Sequence, residues 1–383
     1  MAADAFDEME QAIRQHGPEA GFQFLKDRFR REKDYHLLFE ATLMNKRREL
    51  GLPLIQTESA ATFPEDKQQA FDRCFLEAGR EAGELFLADG NIERAFPYFR
   101  AIGDTAPIAS AIEQVKPGEG IEPVIQIAYN EGVHPFKGFE LILAQYGMCR
   151  AITSFQMYPV RTGREQCIAL LVRALHAEVA DSLKQTISRN EGKAPETDSL
   201  PELVAGRDWL FGEYAYYADT SHVVSVIRYS TETGDRRTLE LAAELCEYGK
   251  HLSGEFQYRS DPPFEDVYND HGAYLQALLG RDVEDALSHF RKKVVESDPD
   301  QAGTLPAQAL VGLLVRLGRY EEAIDVSVAH LNDMSPAQLG CPSVLQLCHL
   351  AGDYRRLKSV ARSKGDLLSY AAAAMQREAP ESG

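Results

Sequence analysis

One short pattern recurs along this chain and limits what it can fold into: a glycine, a polar residue, a brief polar run, then a small or aliphatic residue. It stands at Gly90-Asn-Ile-Glu-Arg-Ala95, Gly234-Asp-Arg-Arg-Thr-Leu239, Gly318-Arg-Tyr-Glu-Glu-Ala323 and Gly352-Asp-Tyr-Arg-Arg-Leu357. A fifth copy, Gly280-Arg-Asp-Val-Glu-Asp-Ala286, carries one extra residue. The pattern predicts a helix that ends on a glycine able to take positive φ, a tight turn, and a second helix whose small residue packs closely on the first. The last three glycines are 38 and 34 residues apart, the pitch of helix-hairpin repeats.

The rest of the chain agrees with helices. Ile168–Leu183, Leu310–Leu317 and Ala323–Leu331 place apolar residues at three- and four-residue spacing, and few stretches alternate with period two. Val223-Val-Ser-Val-Ile227 is the best strand candidate, but it sits within a longer apolar stretch from Trp209 and reads as buried helix. The fold class expected is all-α. Apolar residues make up 44% of the chain and charged ones 26%, enough to build packed cores and too little continuous apolar sequence to cross a bilayer.

The hairpin pattern resembles the tetratricopeptide repeat. Residues 307–336, with Gly318, Tyr320, Ala323, Ile324 and Pro336, are most similar, followed by residues 79–107, with Gly83, Gly90, Ala95, Phe99 and Pro107. The likeness covers about half the chain. The spacing is irregular over 118–200, and the first 60 residues lack the signature. The resemblance implies a right-handed α-solenoid of antiparallel hairpins, with a concave groove lined by each pair's first helix; it implies no chemistry. Lys116–Pro123 reads as a turn-rich connection. Ser188–Ser199 is polar and reads as a mobile loop, so the expected division is 1–187, a loop at 188–200, and 201–383.

Forty-one basic residues stand against fifty-nine acidic ones, a net charge of −18. Nucleic-acid binding needs basic surface to release counterions, so that class is not expected. The opening Met-Ala-Ala-Asp-Ala-Phe-Asp-Glu is neither a basic-apolar secretory signal nor an acid-poor transit peptide, so a cytoplasmic address and no membrane partner are expected. The six cysteines (Cys74, Cys149, Cys167, Cys246, Cys341, Cys348) include no Cys-x-x-Cys pair and fit neither a disulfide framework nor a zinc site, while Cys341 and Cys348, about two helical turns apart and able to share a face, read as buried thiols. Lys46-Arg-Arg48 reads as a solvated helix face. His36, His134 and His176 read as structural.

Chemistry, if any, is expected between 209 and 274. Eight of the sixteen tyrosines fall there, with the single tryptophan, Trp209, and with His222, His251 and His271. Read as one helix, Trp209–His222 puts Trp209, Glu213, Tyr216 and Thr220 on one face and Asp219 and His222 on the other, buried nearly all round. Asp261 with Pro262 looks like the start of a second helix. On it Asp266 and Asp270 share a face, with His271 alongside. Two carboxylate–imidazole pairs facing one groove suit a divalent zinc, manganese or iron ion held by Asp219, His222, Asp266, Asp270 and His271, or acid–base work by Asp219, His222 and His271. The alternative is that Asp219 bonds His222 and that the aspartates pair with Arg228, Arg259 or Arg281.

The function expected is a scaffold that binds a protein or peptide, basic in character, in an aromatic, acidic concave groove through Glu213, Tyr216, Tyr217, Arg259, Tyr268 and Tyr274. No cofactor is required for that role. The alternative is an enzyme or ligand-binding protein with a metal or acid–base pocket in the same window.

Overall fold

The structure is a computed structural model and describes residues 4–55, 63–157, 162–332 and 334–376. Among the described residues the chain is all-α: twenty helices, 73% of residues helical, and no strand. No helix is long and apolar enough to cross a membrane. The chain divides into two compact units between Arg164 and Glu165, and the segment 188–200, expected as the boundary, lies within the second.

In the first unit α1 (Ala5–His16), α2 (Pro18–Glu32), α3 (Tyr35–Glu49), α4 (Glu65–Ala88), α5 (Ile92–Ala101) and α6 (Ala106–Glu113) each pack on the next in sequence. α7 (Glu122–Ile125), a π-turn at Gln126–Asn130 and α8 (Pro135–Met157), broken at Gly147, follow. The core is built from Leu38, Phe86, Ala95, Phe99, Ile108 and Ile112, among others. Ala95 and Phe99, both singled out by the repeat pattern, are fully buried. Each large side chain buried in this way contributes about 1.5–3 kcal/mol.

The second unit is formed by α9 (Arg164–Glu191), α10 (Leu200–Val204), α11 (Thr220–Ser230), α12 (Arg236–Lys250), α13 (Val267–Leu278), α14 (Val283–Glu296), α15 (Pro299–Ala302), α16 (Leu305–Arg316), α17 (Tyr320–His330), α18 (Val344–Ala351), α19 (Tyr354–Ser363) and α20 (Leu367–Met375). From α11 to α14, and again from α16 to α20, each helix packs on its successor, while α11 also meets α13 and α13 meets α16. Val223, Val226 and Ile227 are fully buried on α11, as their apolar run predicts.

Four of the five repeated glycines do what the pattern asks. Gly90, Gly280, Gly318 and Gly352 have φ of +77°, +76°, +73° and +69°. The next residue's N–H closes the helix it leaves: Asn91 to Phe86, Arg281 to Gln276, Arg319 to Leu314 and Asp353 to Cys348, all at 2.8–2.9 Å. Asn91 and Asp353 then cap the following helix through their side chains, accepting from the N–H of Arg94 at 3.0 Å and of Arg356 at 2.8 Å. The extra residue of the fifth copy is absorbed by Asp282, itself left-handed at φ +48°.

Gly234 departs from the pattern. It has no positive φ, because α11 already ends at Ser230 and five residues separate it from α12. Arg316 donates to the carbonyls of Thr231 and Thr233, and the Gly234 N–H donates to Glu165 at 3.1 Å. That connection is held by side chains from elsewhere in the unit.

Three further expectations need correction. Ser188–Glu191 belong to α9, so the irregular segment begins only at Gly192. Cys341 precedes α18 while Cys348 is inside it, so they share no helix face. Arg47 is not solvated: it is 4% exposed, donates from Nε to the Pro53 carbonyl at 2.7 Å and lies over the rings of Phe63 and Phe71.

Candidate functional site

α11 begins later than the Trp209 stretch predicts. Asp219 sits at its N-cap, its carboxylate accepting from the Ser221 N–H at 2.9 Å and the Ser221 hydroxyl at 2.6 Å, and these bonds hold its pKa below the usual carboxylate value against burial. Residues 209–218 are therefore not helical beyond a single turn at Asp208–Leu210, and the face expected to join Trp209, Glu213 and Tyr216 does not exist. Gly206, at φ +69°, and Gly212 interrupt helix formation there.

The second expected helix start is displaced too. α13 opens at Val267 with Asp266, not Asp261, as its cap. The Asp266 carboxylate accepts from the Asn269 N–H at 3.2 Å and its amide at 2.7 Å. Asp266 also donates its own N–H to Asp270 Oδ2 at 2.9 Å. Capping chemistry thus accounts for both Asp219 and Asp266.

Asp270 is the buried centre of the region, at 1% exposure. Its Oδ1 is 2.7 Å from His289 Nε2, and its Oδ2 is 2.8 Å from Lys293 Nζ. Lys293 also reaches Glu265 at 2.6 Å. Burial opposes the charge on Lys293, but its two hydrogen-bonded carboxylates outweigh this and hold its pKa above the ordinary lysine value. The pairing anticipated with Arg228, Arg259 or Arg281 is made instead by His289 and Lys293 of α14.

His271 faces another way. It is 1% exposed, stacked on Phe264 with ring centroids 4.2 Å apart, and its Nδ1 lies 2.8 Å from the Val267 carbonyl. That carbonyl can only accept, so Nδ1 carries the proton. Desolvation drives the His271 pKa down to about 4. His222 is half-buried on the first turn of α11. Asp219, Asp266, Asp270 and His271 are thus engaged by their own helix caps, ion pairs and backbone rather than around one ion. Among the described residues no group of three or more His, Cys, Asp and Glu side chains is placed to hold a metal.

The aromatic residues split into two sets. Tyr268 and Tyr274 are buried, Tyr274 edge-on to Phe264 and Phe290. Tyr268 packs closely against α12, where a Cβ on Gly249 would stand 2.1 Å from its ring, and its hydroxyl is buried without a hydrogen-bond partner. Tyr217 is half-buried, its hydroxyl donating to the Leu210 carbonyl at 2.8 Å and its N–H to the Tyr248 hydroxyl at 2.9 Å.

The outer set is exposed: Trp209 at 48%, Tyr214 at 73%, Tyr216 at 55% and Tyr258 at 43%. These belong to two irregular connections, 205–219 and 251–266, that lie side by side. Ser253 donates to the Glu213 carbonyl at 2.7 Å, Thr220 and Tyr258 meet at 3.3 Å, and Tyr216 packs edge-on to Phe256 at 5.2 Å. Glu213, Glu255 and Arg259 are exposed on the same connections.

Sequence reasoning missed His289, Lys293 and Glu244. Glu244 accepts from buried His176 at 3.0 Å and from the Leu200 N–H at 2.8 Å, and these bonds outweigh its burial and lower its pKa. Beside Asp270 a polar cavity of about 700 Å3 is lined by Glu247, Lys250, Asn269, Gln276, Asp285 and His289. The signal for His289 was its place one helix turn before Lys293, on the helix that follows the one carrying Asp270. Compared with protein-family models, curated proteins and solved structures, the chain gives no match.

Proposed function

We propose that the chain is a helical-repeat scaffold of tetratricopeptide-like hairpins that binds a basic protein segment on the paired connections 205–219 and 251–266. The observation that carries this reading is the gathering of Trp209, Tyr214, Tyr216 and Tyr258 there: they are four of the six exposed aromatic residues among those described. Exposed Trp and Tyr on anchored loops supply large contact area at low cost in conformational entropy. Glu213, Asp219 and Glu255 stand exposed beside them, and a net charge of −18 draws basic partners from solution. The repeat architecture is supported by helices that pack on their chain neighbours and by the shared glycine turn. The aromatic residues expected to bind are reduced to Tyr216, with Glu213 and Arg259 beside it, because Tyr268 and Tyr274 are core.

Trp209 is the only tryptophan, so its emission reports binding directly. Peptides selected on the full chain from a random library should be basic, should shift Trp209 emission, and should lose affinity with Tyr216→Ala. Selected peptides that are acidic, or that bind Tyr216→Ala unchanged, would refute the reading.

A second reading, an acid–base site, is favoured by one observation. A buried carboxylate, Asp270, orients the half-exposed imidazole of His289 at the edge of the polar cavity, an arrangement suited to proton transfer. It predicts that His289→Ala abolishes a turnover that Tyr216→Ala leaves intact.

A further inference from the structure

A second cavity, independent of that surface, lies in the first unit between α3, α4 and α5. It has a volume of about 700 Å3, within the range of sites that enclose small ligands. Its wall is a connected set of rings. Phe39 meets Phe75 edge-on at 5.5 Å and Tyr98 edge-on at 5.2 Å, and Tyr98 stacks on Phe86 at 5.8 Å. Gly79 and Ala101 line the same space, and Ala101 and Pro97 are exposed at its mouth. The sequence reading assigned nothing to these residues.

Polar groups gather at the rim. His36 Nδ1 is 2.9 Å from the Tyr98 hydroxyl. Asp34 caps α3 through the Leu37 N–H at 3.1 Å, and Glu93 and Arg94 stand exposed in the first turn of α5. Burial, and after it the charges of Glu40 and Asp34, hold the Tyr98 proton more tightly than in free tyrosine. Arg94 is the single cation of the rim, against Asp34 and Glu93.

We propose that this cavity binds a small organic cation, an amine carried on an apolar aryl or alkyl body. The body fills the space bounded by Phe39, Phe75 and Phe86. The ammonium sits at the mouth, where the negative faces of the rings and the carboxylates of Glu93 and Asp34 both favour it. An anionic ligand with the same body would meet those carboxylates and lose the ring-face attraction.

The test is calorimetric titration of the full chain with phenylbutylamine and with phenylbutyrate, which share a body and differ in charge. The amine should bind at least about tenfold more tightly than the carboxylate. Ala101→Trp, which fills the mouth from an exposed position, should weaken amine binding by at least about tenfold. Glu93→Lys should narrow or reverse the preference. Melting curves check that each variant folds, and if Ala101→Trp does not, Glu93→Lys decides alone. Absence of amine binding, equal or tighter binding of the carboxylate, or amine affinity unaltered by both substitutions overturns the proposal.

Discussion

His289 Nε2 lies 2.7 Å from Oδ1 of Asp270, so a side chain on α14 hydrogen-bonds a carboxylate buried at the start of α13. Lys293, one turn further along α14, takes the other oxygen at 2.8 Å. The two bonds join the helices of one hairpin by charge as well as by packing. Asp270→Asn leaves Lys293 half-buried with Glu265 as its one ionic partner, and should cost about 2–4 kcal/mol. Urea unfolding of the two proteins measures it. A loss under about 1 kcal/mol, the worth of an ordinary exposed pair, would show that the network does not hold α13 to α14.

His271 makes stability sensitive to acid. Its folded pKa is pushed down to about 4 from the ordinary imidazole value of 6.5, so between those values the unfolded chain binds a proton that the folded chain refuses. Stability therefore falls as pH drops from 6.5 toward 4, by up to about 3 kcal/mol from this residue. His271→Gln should lose less stability over that window than the parent chain, which denaturant midpoints at pH 7 and pH 4 would show. Parallel curves for the two proteins would mean that His271 titrates normally.

Tyr268 and Gly249 set opposite expectations for two small changes. The Tyr268 hydroxyl is buried without a partner, so Tyr268→Phe should be neutral or stabilise by about 1 kcal/mol, where most buried tyrosines lose stability. Gly249→Ala forces a methyl group against the Tyr268 ring and should cost about 3 kcal/mol or more. Part of that loss should return in the double variant Gly249→Ala, Tyr268→Ala. Thermal melts of the parent chain, Gly249→Ala, Tyr268→Ala and the double variant close the cycle; a cost for Gly249→Ala that is the same with Tyr or Ala at 268 would exclude the ring as its cause.

Much of the fold was legible because the signal is local. A glycine turn is decided by the four or five residues around it, and at 90, 280, 318 and 352 those residues suffice. Gly234 misled because its connection is held by Arg316 and Glu165, both far away in sequence. The Trp209 stretch misled because apolar spacing cannot show where a cap such as Asp219 starts a helix. The site was legible only as a region. Asp270 was identified, but its partners lie 19 and 23 residues away, and no spacing rule on one helix reaches them. Arg47 looked solvated because it stands between Lys46 and Arg48, while the rings that cover it come from outside its helix.

Asn91 closes α4 with its N–H and opens α5 with its side chain, and Asp353 does the same between α18 and α19. One residue thus governs both sides of the bend, and the crossing of the two helices is written into a stretch of chain too short to vary in length. The outward faces of such hairpins are left free to change in chemistry while the frame stays as it is. Within one acidic chain, an exposed aromatic surface, a charged polar cavity and a ring-lined pocket can each be altered without disturbing those turns.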